Sequence, residues 1–120
     1  MLGKNQRISK NRVSWLLQKS QKFNDGFFSV KFHLNKGTQN RYSIVVSKKL
    51  LKLATDRNRL RRQCYEALRL RPTQTNSTDF MIFIKSTALS LDFAGLQKQL
   101  SQVIDKITSL SNTQNGHKSP

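Results

Sequence analysis

Cysteine and histidine, which build many metal and nucleophile sites, are scarce in this chain of 120 residues. The single cysteine, Cys64, excludes an internal disulfide and a Cys-rich zinc site. The two histidines, His33 and His117, lie far apart, and neither has a neighbouring set of ligands. We therefore expect the protein alone to bind no metal ion.

Long apolar segments are also missing. No apolar run approaches the ~20 residues that a membrane-spanning helix needs. The N-terminus lacks the apolar core of a signal peptide. The sequence therefore predicts a cytoplasmic protein.

Acidic residues are few, with 6 Asp and Glu against 22 Lys and Arg and a formal net charge of +16. Such an imbalance destabilises the compact state through self-repulsion, so a polyanionic partner is its natural explanation. Nucleic acid is the first candidate for this partner, and an anionic membrane surface is the second.

The hydrophobic pattern predicts a two-layer α+β sandwich, in which helices pack on a small mixed sheet in the order α-β-β-α-β-α. The predicted elements are a helix at 9–19 with Ser9 as N-cap, strands at 27–34 and 41–47 joined as a hairpin, a helix at 53–69, a strand at 80–84 and a last helix from Asp92. Residues 1–110 form one predicted RNA-binding domain, and residues 111–120 a disordered tail.

The helix at 53–69 carries most of the functional signal. At ~100° per residue its apolar side chains form one stripe, made of Leu53, Leu60, Cys64, Ala67 and Leu68. Asn58, Arg62 and Arg69 lie opposite this stripe, while further arginines flank it. Because Arg engages phosphate oxygens through a planar fork of donors, this surface is suited to RNA.

The acidic and nucleophilic residues of the sequence are better explained by structural than by catalytic roles. Asp79 and Asp92 are better explained as a strand start and an N-cap than as a two-metal site. Cys64 lies on the buried stripe, and Ser47 has no companion histidine. We expect no catalytic residue in this polypeptide. Phe28 is equally compatible with the core and with a base-stacking surface.

The stretch from Arg41 to Arg69 resembles the protein component of bacterial ribonuclease P. The matching residues are Ser47-Lys48-Lys49, the seven-residue spacer from Leu50 to Asp56, Arg57-Asn58-Arg59, Leu60, Arg61-Arg62, Glu66 and Arg69. The segment "DFMIFIK" (Asp79 to Lys85) is similar to the family's late strand, and the likeness covers about residues 7 to 107.

This resemblance implies a ribosomal-protein-S5-like fold with a left-handed β-α-β crossover, where the usual rule would predict a right-handed one. It implies a ribonucleoprotein endoribonuclease that removes the 5′ leader from precursor tRNA, with catalysis by an RNA subunit that holds most of the Mg²⁺. The implied contacts with the RNA subunit are Lys48, Lys49, Arg57, Asn58, Arg59, Arg61 and Arg62. The implied contacts with the leader are Val13, Trp15, Leu17, Phe28, Lys31, Lys48 and Lys85.

The sequence departs from the family pattern at three places. Val13 and Leu17 occupy first-helix positions where the family usually has leader-stacking Phe, and stacking by Trp15 or Phe28 would be the substitute. Tyr65 stands where a basic residue is common, and Tyr42 and Ile44 where small residues are frequent. The alternative function is a general structured-RNA-binding protein of ribosomal or chaperone type. A DNA-binding regulator would want a second recognition helix and a dimer interface, which we do not find.

Overall fold

The computed structural model describes residue 8 and residues 10–34, 40–70 and 78–118. Its elements are α1 (Lys10–Lys19), β1 (Gln21–Asn24), β2 (Phe28–Leu34), β3 (Arg41–Val45), α2 (Ala54–Arg69), β4 (Thr78–Ile84), a 3-10 helix (Ser86–Ser90) and α3 (Phe93–Lys118). The predicted α+β class is confirmed, with one additional strand, β1, and the short 3-10 helix. Ser9, the predicted N-cap, lies outside the described residues.

The four strands lie in the order β1-β2-β4-β3. β1 and β2 form an antiparallel pair, β2 and β4 a second, and β3 runs parallel to β4. The predicted hairpin between the strands at 27–34 and 41–47 is therefore wrong, because β4 lies between β2 and β3. Apolar alternation and turn residues are local signals, and they do not say which strand will be the neighbour. The left-handed sense of the β3-α2-β4 crossover stays a prediction.

One face of the sheet packs against α2 and α3. The sheet supplies the alternating residues Phe28, Val30, Phe32, Phe80, Ile82 and Ile84, and the helices supply Leu60, Cys64, Leu96, Leu100 and Ile104, among others. The opposite face carries α1, with Leu16 buried beneath the helix. This two-sided arrangement leaves the outer side of α2 and part of the second sheet face in solvent.

Three residues that continue an apolar periodicity of the sequence are exposed, namely Leu53, Phe93 and Leu34. Leu53 precedes α2 as its N-cap residue and is 63% exposed, so the stripe begins only at Leu60. Phe93 is 36% exposed at the start of α3, and Leu34 is exposed at the end of β2. All three stand at an element boundary, where the chain leaves the packed layer and the periodic pattern no longer determines burial.

The backbone of α3 is helical through Lys118. The sequence predicted a disordered tail from residue 111, so the helix extends further than expected. Backbone hydrogen bonds of a helix are local and need no packing partner. The division into a domain of 1–110 and a tail of 111–120 stays a prediction.

Candidate nucleic-acid interface

The outer side of α2 forms a shallow groove of about 360 Å³, lined by Thr55, Asn58, Arg61, Arg62 and Tyr65. These residues recur three to four positions apart along α2, which places them on one side of the helix. Three of them, Asn58, Arg61 and Arg62, belong to the predicted RNA-subunit contacts. The structure therefore brings these three side chains together at one surface, which we call the docking surface of α2.

Within the docking surface, Asn58 orients a cation. Its Oδ1 accepts a hydrogen bond from Nη2 of Arg61, one turn further along α2. This contact fixes the guanidinium group while leaving its other donors available, because an Arg side chain carries five N–H groups. Asn58 thus limits the rotamers of Arg61 before any ligand binds.

Arg57 differs from the arginines that follow it on α2, because its side chain bonds to the backbone of the protein itself. Its Nη1 donates to the backbone carbonyls of Leu51 and Lys52, at 2.8 Å in each case. The side chain is half-buried and closes the loop that precedes α2. Arg57 therefore has a structural contact within the protein, and its predicted contact with an RNA subunit stays a prediction.

Lys48 and Lys49 lie in the turn that follows β3, and both are exposed. Ser47 organises this turn, because its backbone carbonyl accepts from the amides of Leu50 and Leu51 at 3.2 Å. Ser47 Oγ also accepts from the amide of Leu50, at 3.2 Å. The turn thus presents two exposed lysines a few residues before α2 begins, and their contact with an RNA subunit stays a prediction.

A second candidate surface is the sheet face that carries α1. Lys31 on β2 projects from this face, and its Nζ donates to the backbone carbonyl of Leu17, at the C-terminal end of α1, over 3.2 Å. Phe83 on the central strand β4 points to the same side, between its register partners Ser29 and Val45, and all three are half-buried. We call this region the open sheet face.

Phe83 is the residue that sequence reasoning missed. It lies inside the continuous apolar run from Phe80 to Ile84, and such a run is typical of a strand that is covered on both faces. Its neighbours in the run, Ile82 and Ile84, face the core, and the alternation of a strand turns Phe83 the other way. Counting positions in this run would have placed Phe83 opposite the core.

Beside the open sheet face, α1 is attached by a chain of polar and aromatic contacts. Nε of Arg12 donates to Oδ2 of Asp79 over 2.7 Å, and Nη2 donates to the carbonyl of Leu34 over 3.2 Å. The guanidinium carbon of Arg12 lies 4.2 Å from the ring centroid of Trp15. The Trp15 ring in turn meets His33 edge-on, with centroids 4.7 Å apart. These contacts fix Trp15 at the edge of the face.

The predicted leader contacts divide into three groups. Trp15 and Leu17 are exposed, and Val13 is half-buried, so all three are accessible along α1. Phe28 is 0% exposed and belongs to the core, so its predicted leader contact is wrong: a ring without accessible surface cannot stack on a base. Lys85 donates through Nζ to the carbonyl of Asp25 over 2.7 Å, which ties the end of β4 to the β1-β2 turn.

Lys48, which the resemblance placed in both sets, is exposed in the turn after β3, and its contacts with the RNA subunit and the leader stay predictions. Among the described residues, no group of three or more His, Cys, Asp or Glu side chains is arranged to hold a metal ion. None of the helices in the described ranges is long and apolar enough to span a membrane.

A cationic helix and an open β-face with an accessible aromatic ring are typical of RNA-binding proteins. Residues 2–108 match the family model described as Ribonuclease P. The chain belongs to the ribonuclease P protein family, whose members are protein components of the ribonucleoprotein endoribonuclease that processes tRNA.

Individual relatives agree with this assignment. The ribonuclease P protein component of Histophilus somni is 33% identical over 100 residues, which cover 83% of this chain and 81% of that protein. The component from Edwardsiella ictaluri is 26% identical over 96 residues, or 80% of this chain and 81% of that one. Among solved structures, a mutant of the Staphylococcus aureus RNase P protein superposes with a TM-score of 0.76 at 25% identity, covering 87% of this chain and 89% of that chain.

Proposed function

We propose that the protein binds the catalytic RNA through the docking surface of α2 and the 5′ leader of precursor tRNA through the open sheet face. In this proposal the RNA subunit performs the hydrolysis and holds most of the Mg²⁺ of the reaction. The observation that carries the proposal is the solvent-exposed surface of α2 as a whole, where Arg59 and Arg62 make no hydrogen bond or ion pair with any residue in the described ranges.

The chemistry of the docking surface supports contact with phosphates. Arg61 is already oriented by Asn58, so its fork of donors loses less conformational freedom on binding. Arg62 stands beside it on the same groove. Each guanidinium that replaces a condensed counterion adds a salt-dependent contribution to the affinity.

The open sheet face supports contact with single-stranded RNA. Phe83 offers a ring on which a base can stack, and such stacking tolerates different bases, which suits leaders of varied sequence. Lys31 adds a cation to the same face, two residues along β2 from Ser29, the register partner of Phe83. We propose that Phe83 and Trp15 together replace the stacking Phe residues that are usual on the family's first helix.

The role of the protein in catalysis is then electrostatic. Its net charge of +16 reduces the repulsion between two polyanions, the RNA subunit and precursor tRNA, and so lowers the Mg²⁺ concentration that the reaction needs. We propose that it acts in the cytoplasm and without an obligatory protein partner.

The experiment that tests this proposal is cleavage of precursor tRNA by a bacterial ribonuclease P RNA at low Mg²⁺, with and without the protein. We expect strong rescue by the wild-type protein. A variant with both Arg61→Ala and Arg62→Ala should lose most of this rescue. The matched control is Lys106→Ala, which removes an exposed charge from α3, away from both surfaces.

Tight RNA binding without rescue, measured with the cognate RNA, would contradict the proposal and favour the general RNA-binding alternative. The open sheet face is tested separately with Phe83→Leu. This variant should raise KM for a precursor with a long leader and leave a substrate with a one-nucleotide leader unaffected.

A further inference from the structure

The side of α2 next to the docking surface carries a second groove, which the motif does not explain. It lies between α2 and the start of α3, has a volume of about 390 Å³ and is lined by Arg59, Arg62, Gln63, Glu66 and Phe93. We call it the Phe93 groove. Arg62 lines both this groove and the docking surface, so the two are continuous across α2.

An adjoining cavity of about 180 Å³ extends the Phe93 groove toward the 3-10 helix. It shares Arg59 and Gln63 with the groove. Its further lining is mostly apolar and comprises Leu51, Leu60, Ala88, Leu89 and Leu91, together with Asp56. Leu89 and Phe93 are both exposed, so the groove offers apolar surface to a ligand. The combined groove therefore has apolar walls and a cationic rim.

The charges of the groove favour an anion with a flat apolar part. Arg59 and Arg62 have no acidic partner in the part of the chain that the structure describes. Glu66 is neutralised by an ion pair with Arg69, and the hydrogen bond from Arg69 lowers the pKa of Glu66, so this pair persists at neutral pH. The two unpaired guanidinium groups thus line the same groove as the aromatic ring of Phe93.

We propose that the Phe93 groove receives an unpaired base of the RNA subunit. The base stacks on the ring of Phe93, Arg59 and Arg62 bind the phosphates on either side of it, and the Gln63 amide meets its polar edge. Aromatic rings, guanidinium planes and amides are the groups with which proteins hold splayed-out RNA bases. The inference rests on the proposed docking of α2 and adds a site on the neighbouring side of that helix.

An apolar protein segment fits the groove less well. It would cover Arg59 and Arg62 without supplying a partner for either charge, and an unpaired buried charge is strongly unfavourable. A nucleotide brings its own phosphates together with the flat ring. The continuity with the docking surface through Arg62 points to the same RNA molecule.

The test uses the full chain and its cognate RNA subunit, with Phe93→Leu as the variant. Leu keeps the apolar side chain at the start of α3 and removes only the aromatic face. We expect the Kd for the RNA subunit to rise about 5- to 150-fold, which corresponds to the loss of one base-aromatic stack. The slope of affinity against salt should not change, because no charge is removed. The control is Leu34→Ala, an exposed apolar residue at the far end of β2, which should leave Kd unchanged.

A second measurement identifies the base. Chemical probing of the RNA should show one unpaired nucleotide that is protected by the wild-type protein and reactive in the Phe93→Leu complex. A Kd within twofold of wild type, or a weaker complex with no such nucleotide, would overturn the inference. If Phe93→Leu has no effect while Arg61→Ala with Arg62→Ala abolishes binding, only the base site is wrong. If both variants bind as wild type, the proposed docking of α2 itself fails.

Discussion

Asp79 is the residue on which α1 and β3 both depend. Its carboxylate is 0% exposed and accepts hydrogen bonds from Nε of Arg12 at 2.7 Å and from Nε and Nη2 of Arg41 at 2.7 and 2.8 Å. The hydrogen bond to Asp79 also raises the pKa of Arg41. A buried carboxylate is tolerable only when it is paired in this way.

We therefore predict that Asp79→Asn lowers the free energy of unfolding by about 3 kcal/mol, the lower end of the range for breaking a buried ion pair, since both arginines remain partly accessible to water. Urea denaturation measures this change. The control, Glu66→Gln, removes the exposed pair with Arg69 and should move the midpoint very little. Equal effects of the two substitutions would contradict the role assigned to Asp79.

Cys64 gives a second prediction at the residue scale. Burial raises the pKa of its thiol from 9.0 to about 12, so almost no thiolate forms in the folded protein at pH 8. The thiolate is the reactive species, and a shift of this size lowers its population by about three orders of magnitude. Iodoacetamide should label the native protein at pH 8 far more slowly than the urea-unfolded protein, and equally fast labelling of both would contradict this.

The same shift predicts how stability changes in alkaline solution. The folded thiol stays protonated up to about pH 12, whereas the unfolded thiol ionises near pH 9. The stabilisation that the protonated Cys64 thiol contributes is therefore fully present below pH 9 and is lost as the pH rises toward 12. A Cys64→Ala variant should lose less stability than the wild type between pH 8 and 10, in urea titrations at each pH.

At the scale of an element, Tyr65 explains how the edge strand β3 is protected. Its hydroxyl accepts the backbone N–H of Ile44 at 3.1 Å, and the carbonyl of Tyr42 accepts the amide of Ile8 at 3.2 Å. Backbone N–H and C=O groups that are left unpaired on an edge strand can pair with strands of other chains. Tyr65 is one of the positions that departs from the family pattern, and here its hydroxyl connects α2 to the sheet.

We predict that Tyr65→Phe lowers stability by about 1 kcal/mol, the usual contribution of one hydrogen bond. The amide of Ile44 should exchange with solvent faster, while that of Val30, on the interior strand β2, should change only by the global stability loss. Hydrogen exchange followed by NMR makes this comparison. Faster exchange at Ile44 than at Val30 would show that Tyr65 protects the edge strand specifically. An equal increase of the exchange rate at both amides would contradict this role.

Element type was predictable from the sequence, whereas strand pairing was predicted correctly only for the β-α-β crossover, whose strands β3 and β4 are indeed parallel. The periodicity of Leu60, Cys64 and Leu68 identified α2 because helix periodicity is a local property of the chain. The insertion of β4 between β2 and β3 depends on how the crossover packs, which no local pattern records. The site was predicted in part. The basic residues of α2 were recognised by their motif. Phe28 was assigned to the leader although alternation along its strand places it with Val30 and Phe32. Phe83 was overlooked because every residue of its run is apolar, so hydrophobicity alone does not distinguish the two faces.

At the scale of the whole molecule, the net charge of +16 has opposite effects on folding and on binding. Self-repulsion destabilises the free compact state, so added salt should stabilise the free protein by screening. RNA binding depends on release of counterions, so the same salt should weaken it. Added salt should therefore favour folding of the free protein and oppose RNA binding. Measuring both at the same salt concentrations tests whether the positive charge serves RNA binding.

We predict that the Tm of the free protein rises between 50 and 200 mM salt, while affinity for the RNA subunit falls about a thousandfold. This estimate assumes one phosphate contact for each basic side chain of the predicted set, namely Lys48, Lys49, Arg57, Arg59, Arg61 and Arg62. Arg59→Gln should reduce the slope of log affinity against log salt by about one unit, and Lys106→Gln should leave it unchanged. If both substitutions lower the slope equally, the protein binds RNA through its overall charge, and α2 is not the docking element.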